Sequence, residues 1–354
     1  MSLSTVASSN NSVKVDAVSP GSVGSVLDDA ALMSYLEKPK TASMRDAYGE
    51  TLTRLGAEIK DIVVVGADTT GSIKTSLFGQ KYPDRFFNVG IAEQNLVSIA
   101  AGLAMAGKVA FASTYAVFAP GKCVDQMRNA IAYPELNVKL VASHAGISVG
   151  PDGASHQELE DLATMRAIPN MKVVVPSDSL STARLVEILS RTSGPFYMRI
   201  ARPNCPVIYT PELAEKIEIG SATVFRDGSD ATIVACGLLV YESLLAAKKL
   251  HDENGLSVAV IDMTSVKPLD ANTLVKFAQK TGYIVSAEEH NIMGGLGGAV
   301  AEILAEDRPT PMRRVGTRDT FGESGEDKEL MQKYGLNANN IAKTLTELRS
   351  KARR

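Results

Sequence analysis

Asn88-Val89-Gly90-Ile91-Ala92-Glu93-Gln94 joins two kinds of apolar sequence. Before it, Arg85-Phe86-Phe87-Asn88-Val89 reads as a short buried strand. After it, Gln94 to Ala106 is rich in Ala, Leu and Gly and reads as a buried helix. The turn between them sets one carboxylate, Glu93, at the mouth of a helix. A carboxylate with apolar sequence on both sides is where enzymes share a proton with a bound base, away from water. Taken alone, Glu93 reads first as a helix-start acid favoured by the helix dipole.

The same alternation extends in both directions. Ser43 is a predicted N-cap for a helix over Met44 to Glu58, and Asp61 to Gly66 a buried strand. Strands follow at Lys108–Ala112, Asn137–Ala142, Val173–Val175 and Phe196–Ile200, with helices near Pro120–Ile131 and Leu180–Ser190. Pro203, Pro206 and Pro211 break the pattern. A second block then has predicted strands at Ala231–Cys236, Ser257–Asp262, Tyr283–Ala287 and Arg313–Val315. Its helices fall near Tyr241–His251, Asp270–Gln279 and Gly298–Leu304, with a mostly helical tail from Glu326 to Arg349. Alternating strands and helices imply α/β architecture: two doubly wound domains, each a parallel sheet with helices on both faces. The expected boundaries are a flexible or loosely docked extension over 1–40, a first domain over 41–204, a linker over 205–220 and a second domain over 221–354.

Composition narrows the function. A net charge of −3 without a long basic run argues against a general nucleic-acid binder. No apolar run approaches the ~20 residues that span a bilayer. Cys123, Cys205 and Cys236 show no CxxC spacing, which suits a reducing cytoplasm and gives no metal site.

Sites in parallel sheets gather beyond the strand carboxyl ends, and four such loops carry polar residues. Gly66 to Ser72 contains Asp68, in a composition that also suits a plain turn. Ser113 to Ala119 holds Tyr115 and Phe118, either core or a platform for a heteroaromatic ring. His144 to Gln157 gathers two of the four histidines, His144 and His156, with Asp152 in a glycine-rich run too polar for core. No third ligand is spaced for a metal. Arg199 to Asn204 places Arg202 just past a strand, where it suits a phosphate or carboxylate. Arg45 lies near a helix start. There is no Walker loop, no GxGxxG turn, and no Gly-Asp-Gly followed by Asn about thirty residues later.

The combination resembles the C-terminal half of transketolase, in the form split into two polypeptides. The resemblance runs from about Met44 to the C-terminus. It rests on Asn88 to Gln94, Gly150-Pro151-Asp152-Gly153-Ala154-Ser155-His156-Gln157, Ile168-Pro169-Asn170, and Glu288-Glu289-His290 through Gly294-Gly295-Leu296-Gly297, in family order. It implies a first domain that binds the aminopyrimidine of thiamine diphosphate and a second that resembles the family's C-terminal domain and chiefly supports dimer contacts. Glu93 matches the glutamate that hydrogen-bonds ring nitrogen N1′, and Glu93 and His156 form the implied catalytic set. Asp68, Tyr115 and Phe118 match positions around the cofactor. Tyr115 stands where Phe is frequent, and Gly121 where many relatives have another aromatic. Asp152 and His156 match readers of sugar hydroxyls, and His144 a wall residue. Arg45, Ser72, His156 and Arg202 match the grip on the sugar phosphate. His290 receives no role, its surroundings shaping a turn between strand and helix.

The implied reaction moves a two-carbon unit from a ketose phosphate to an aldose phosphate. Because the Gly-Asp-Gly…Asn pattern is absent, Mg2+ and the diphosphate are expected on an N-terminal partner subunit, in a heterotetramer with two chains of each kind. Deoxyxylulose phosphate synthase shares the Gly-Ile-Ala-Glu-Gln run but carries both halves in one chain. The beta subunit of a 2-oxoacid dehydrogenase has similar length but no reason to keep Asp152 and His156 with the arginines. A catalytically inert interaction subunit is the alternative outside enzymes.

Overall fold

The computed structural model describes residues 35–352. Among them the strands form a seven-stranded sheet, a five-stranded sheet and a two-stranded ribbon. In chain order the strands are β1 Thr41–Ser43, β2 Ile62–Gly66, β3 Phe86–Asn88, β4 Val109–Tyr115, β5 Val138–Ser143, β6 Lys172–Val174 and β7 Phe196–Arg199. They continue as β8 Asn204–Pro206, β9 Thr223–Arg226, β10 Ala231–Ala235, β11 Val258–Asp262, β12 Ser265–Lys267, β13 Ile284–Asn291 and β14 Met312–Thr317.

The large sheet has the order β12-β6-β7-β5-β4-β2-β3, and all neighbours run parallel except the β12–β6 pair. The β2 segment Ile62-Val63-Val64-Val65-Gly66 is buried throughout, as expected of a β-branched run covered on both faces. The smaller sheet has the order β14-β13-β10-β11-β9, with β9 antiparallel at its edge. No helix of the described residues is long and apolar enough to cross a membrane.

Local chemistry sets several boundaries. Ser43 caps the helix Met44–Glu58 as expected, its hydroxyl accepting from the Asp46 N–H at 3.1 Å. Asp270 caps Ala271–Thr281 in the same way through the Thr273 N–H, and Gly282 ends that helix in the left-handed region.

Other expectations are corrected. β3 is an edge strand, not a buried one: Phe87 is 38% exposed, since only β2 pairs with it. β4 runs on to Tyr115, so Ser113, Thr114 and Tyr115 belong to the strand and not to the loop. β13 includes Glu288, Glu289 and His290, leaving the turn to Gly294 and Gly295. Two antiparallel strands, β9 and β12, had no periodic signal, being four and three residues long.

The second half enters the first through β12, which pairs with β6. Both apolar cores are likewise shared. One holds Leu185 and Val186 together with Leu239 and Val260, and the other Leu162 and Val173 together with Leu274 and Phe277. The expected linker contains the end of β8, which pairs with β1, and the short helix Pro211–Ala214, with Tyr209 and Leu213 buried. Of the expected extension, residues 1–34 lie outside the described residues. Its last residues are docked: Leu36 is buried, and its carbonyl accepts from the Tyr241 hydroxyl at 3.0 Å.

Candidate active site

The large sheet reverses direction between β2 and β4. From β2 the chain goes outward to β3, and from β4 it goes the other way to β5 and β7. A crevice opens at such a reversal, beyond the strand carboxyl ends. The loops after β2, β3, β4, β5 and β7 carry Asp68, Glu93, Phe118, His144 with Asp152, and Arg202 respectively.

The turn that presents Glu93 is built locally. Asn88 at the end of β3 accepts from the Asp68 N–H at 3.0 Å and the Gly90 N–H at 3.3 Å, and the Val89 N–H donates to the Gly66 carbonyl at 2.9 Å. Gly90 takes φ +73°, a left-handed conformation that suits glycine. Asp68, itself exposed at φ +60°, accepts from the Asn88 side chain at 3.4 Å, so it holds the turn. Glu93 then opens the helix Glu93–Met105 with only 6% of its surface exposed. Its Oε2 lies 3.1 Å from Nζ of Lys122. That ammonium also stands 4.3 Å from the centre of the Phe118 ring, a cation–π contact. The sequence reading missed Lys122. Its signal was the helical spacing from Phe118, four residues earlier, which puts both side chains on one face.

Tyr115 and Phe118 stack with centroids 5.8 Å apart, and Tyr115 stacks on His144 at 3.9 Å. His156 meets Phe118 edge-on at 5.5 Å. An unbroken series of contacts therefore runs from Glu93 through Lys122, Phe118 and Tyr115 to both loop histidines. A Cβ added at Gly121 would meet nothing within 4 Å, which leaves space beside this series.

At its far end lies a cleft of about 520 Å3 whose walls include Arg45, Ser72, Tyr115, His144, Asp152 and Arg202. These come from the first helix, from the end of β4 and from the segments after β2, β5 and β7. The Arg45 guanidinium donates to the Ser72 carbonyl at 2.8 Å, and Arg202 to the Val149 carbonyl at 2.8 Å. Burial, with Arg202 close by, depresses the pKa of Arg45, partly offset by Asp46. Burial, then the positive charges of Arg45 and Arg202 and the nearby His156, push the His144 imidazole down to about 3. His144 is therefore neutral near pH 7, accepting or donating at Nδ1 to the Ser143 hydroxyl 2.9 Å away. Two guanidiniums in a partly buried cleft suit an anion, and Asp152, Glu326 and Asp327 line the same cleft. His156 stands beside the cleft through its ring contacts, and its Nδ1 lies 3.0 Å from the Ser155 hydroxyl. Glu326 and Asp327, from the second half, complete one wall. They are far from the other lining residues in sequence, so no local spacing announces them.

Residues 40–207 match the family model "Transketolase, pyrimidine binding domain", and residues 220–341 match "Transketolase, C-terminal domain". A putative transketolase C-terminal section from Methanocaldococcus jannaschii is 46% identical over 86% of this chain and 95% of the relative. One of the subunits of an apulose-4-phosphate transketolase from Phocaeicola vulgatus is 38% identical over 86% of this chain and 96% of the relative. A 6-deoxy-6-sulfo-D-fructose transketolase subunit from a Clostridium species is also 38% identical, over 86% and 94%. Among solved structures, a split-gene transketolase captured as an inactive beta4 tetramer superposes with a TM-score of 0.81 at 47% identity, covering 86% of this chain and 98% of that one. Transketolase from Leishmania mexicana gives 0.74 at 26% identity, over 90% of this chain and 47% of that one. With both of the family's C-terminal modules present in order, and near full-length matches to split-gene relatives, the chain belongs to the transketolase family and corresponds to the C-terminal section of its split form.

Proposed function

We propose that this chain is the pyrimidine-binding subunit of a split transketolase, which moves a two-carbon ketol unit from a ketose phosphate to an aldose phosphate. The convergence of Arg45, Ser72, His144, Asp152 and Arg202 on one cleft, joined by stacked rings to the Glu93 turn, carries this reading. The family implies thiamine diphosphate, and the residues present suit its aminopyrimidine. Glu93 is nearly buried, yet it borders an open cavity of about 550 Å3 with Gly121 and Lys122. Phe118 and Tyr115 offer flat faces beside it.

When bound, the cofactor supplies the nucleophile and electron sink for carbon–carbon cleavage. Glu93 shares a proton with ring nitrogen N1′, in a pocket where water competes poorly for it. Lys122 occupies Oε2 of Glu93 and so competes for that carboxylate. Asp68 holds the turn on the cofactor side. Asp152 and His156 read the sugar hydroxyls, neutral His144 walls the channel, and Arg45, Arg202 and Ser72 grip the phosphate. A fork of guanidinium donors suits a tetrahedral dianion. The names of two relatives specify a sugar phosphate and a sulfosugar, both anionic, which supports an anion grip in this position.

Among the described residues no group of three or more His, Cys, Asp or Glu could hold a metal ion. The Mg2+ and diphosphate ligands are assigned to an N-terminal partner subunit, with a heterotetramer as the assembly. Exposed Ile91, Val124 and Tyr133, on the elements around Glu93, support a subunit surface there. The isolated chain should bind thiamine diphosphate poorly. Micromolar, magnesium-dependent binding in titration calorimetry without a partner would sink the split-site reading. Copurification with the partner, followed by assays on a panel of ketose and aldose phosphates, tests the reaction itself.

A further inference from the structure

The loop between β5 and the helix Asp161–Ala167 carries His144, Asp152 and His156, and its own structure is a short 3-10 turn over Ile147–Asp152 with a few backbone bonds, among them Gly146 N–H to the Glu158 carbonyl at 2.8 Å. His144, Gly146, Gly150 and Gly153 all sit at positive φ, between 58° and 86°. A backbone of this kind keeps one shape only if its surroundings impose it. Those surroundings come largely from the second half of the chain.

Glu289 in the middle of β13 is 3% exposed, and its Oε1 accepts from the Ser148 N–H at 2.6 Å. A Cβ at Gly146 would collide with the Glu289 carboxyl, so the glycine is the recess in which that carboxyl sits. The Glu289 carbonyl accepts from Arg199 at 2.8 Å, and Arg199 is itself paired with Asp161 at 2.9 Å. Glu289 is thus anchored in a buried polar network between the halves. At the loop's other end the Gln157 side chain donates to the Ile147 and Gly150 carbonyls and, at 2.9 Å, to the Glu323 carbonyl of the second half. Between these two anchors lie Gly150, Pro151 and Asp152.

We propose that Glu289 is a positioning residue for substrate binding: from the C-terminal domain it sets the loop that carries Asp152 and His156. This rests on the reading of the cleft as the sugar phosphate site. It gives the C-terminal domain a part in substrate recognition besides subunit contacts. Glu289 touches no reacting atom and acts through Ser148.

The test uses the full chain reconstituted with its N-terminal partner. E289A should raise KM for sugar phosphates roughly tenfold or more, as loss of a buried hydrogen-bond acceptor does. The Kd for thiamine diphosphate should stay within about twofold, and any fall in kcat, through His156, should be smaller than the rise in KM. Amide exchange at residues 146–157, read on the chain with or without its partner, should lose protection. E289Q keeps an acceptor for the Ser148 N–H and should restore both KM and protection. G146A pushes on the carboxyl from the opposite side, besides straining the loop at φ +86°, and should reproduce the KM defect with Glu289 intact; if E289A fails to fold, E289D, one methylene short of the Ser148 N–H, should show a milder form of the same defect. Unchanged KM and protection in either E289A or G146A overturns the proposal, as does a parallel loss of cofactor affinity and KM. If the wild-type complex transfers no ketol unit, the functional reading fails, while the exchange measurements still decide whether Glu289 holds the loop.

Discussion

The turn at Glu93 and the loop at Asp152 are built in opposite ways. The first is closed by its own neighbours: Asn88 bridges the Asp68 and Gly90 N–H groups, and Val89 reaches back to Gly66. The second has a short 3-10 turn of its own but is also tied to distant groups, with Ser148 bonded to Glu289 and Gln157 to Glu323, 141 and 166 residues away. The Glu93 end is thus set by short-range chemistry, and the Asp152 end also by contacts from the second half of the chain.

The comparison is sharpened most by Glu93→Gln. The turn does not use this carboxyl, so the fold should survive, while turnover in the reconstituted complex falls on the order of 10²-fold or more, as for loss of an acid–base group. Thiazolium C2 proton exchange, followed by NMR, reads the step directly, and an unchanged rate removes Glu93 from the chemistry.

Arg202→Ala attacks the other end. Loss of a charge-assisted contact to a dianion costs about 1.5–3 kcal/mol, roughly ten- to over one-hundredfold in kcat/KM for sugar phosphates. Hydroxypyruvate, a donor without phosphate, should be nearly unaffected. Equal damage to both donors would mean that the bond from Arg202 to Val149 is what mattered, and the phosphate assignment would fall.

His144 offers a pH handle on the same end. Its folded pKa of about 3 lies below the ordinary value of 6.5, through burial and then the two arginines. The unfolded chain therefore takes up a proton first as pH falls. Stability from this residue is complete above pH 6.5 and is lost between 6.5 and about 3, with a slope of up to ~1.4 kcal/mol per pH unit. His144→Gln should remove that slope in urea titrations at pH 7, 6 and 5. A parallel decline in both proteins would show that the imidazole is not held neutral.

The smallest effect is expected at Lys122. Its ion pair with Glu93 is half open to solvent, with the lysine side chain 48% exposed, and such pairs are worth at most about 1 kcal/mol. Lys122→Met should tighten thiamine diphosphate binding to the complex by no more than about fivefold, an advantage that shrinks at high salt. Weaker binding in the variant would recast Lys122 as a ligand for the cofactor or substrate.

Legibility in the sequence followed the range of the interactions. Ser43 and Asp270 announced their helices because a cap is satisfied three residues away. Glu93 was legible because a strand, a turn and a helix meet within ten residues. Asp68, Tyr115, Phe118, His144, Asp152, His156 and Arg202 could each be picked from a loop beyond a strand. Lys122 was overlooked although its helical spacing from Phe118 was available. β9 and β12 left no pattern to read, since a three- or four-residue edge strand is defined by its partner.

The sequence by itself determined the alternation of strands and helices, the caps, and the turn that aims Glu93, because those depend on spacing, propensity and hydrogen bonds within a few residues. Only the tertiary structure decided that β12 crosses into the first sheet, that Arg45 and Arg202 share one cleft, and that Glu289 and Glu323 hold the Asp152 loop. These are contacts between residues a hundred or more apart in most cases, made when two apolar cores close over a common polar network, and no local period records them.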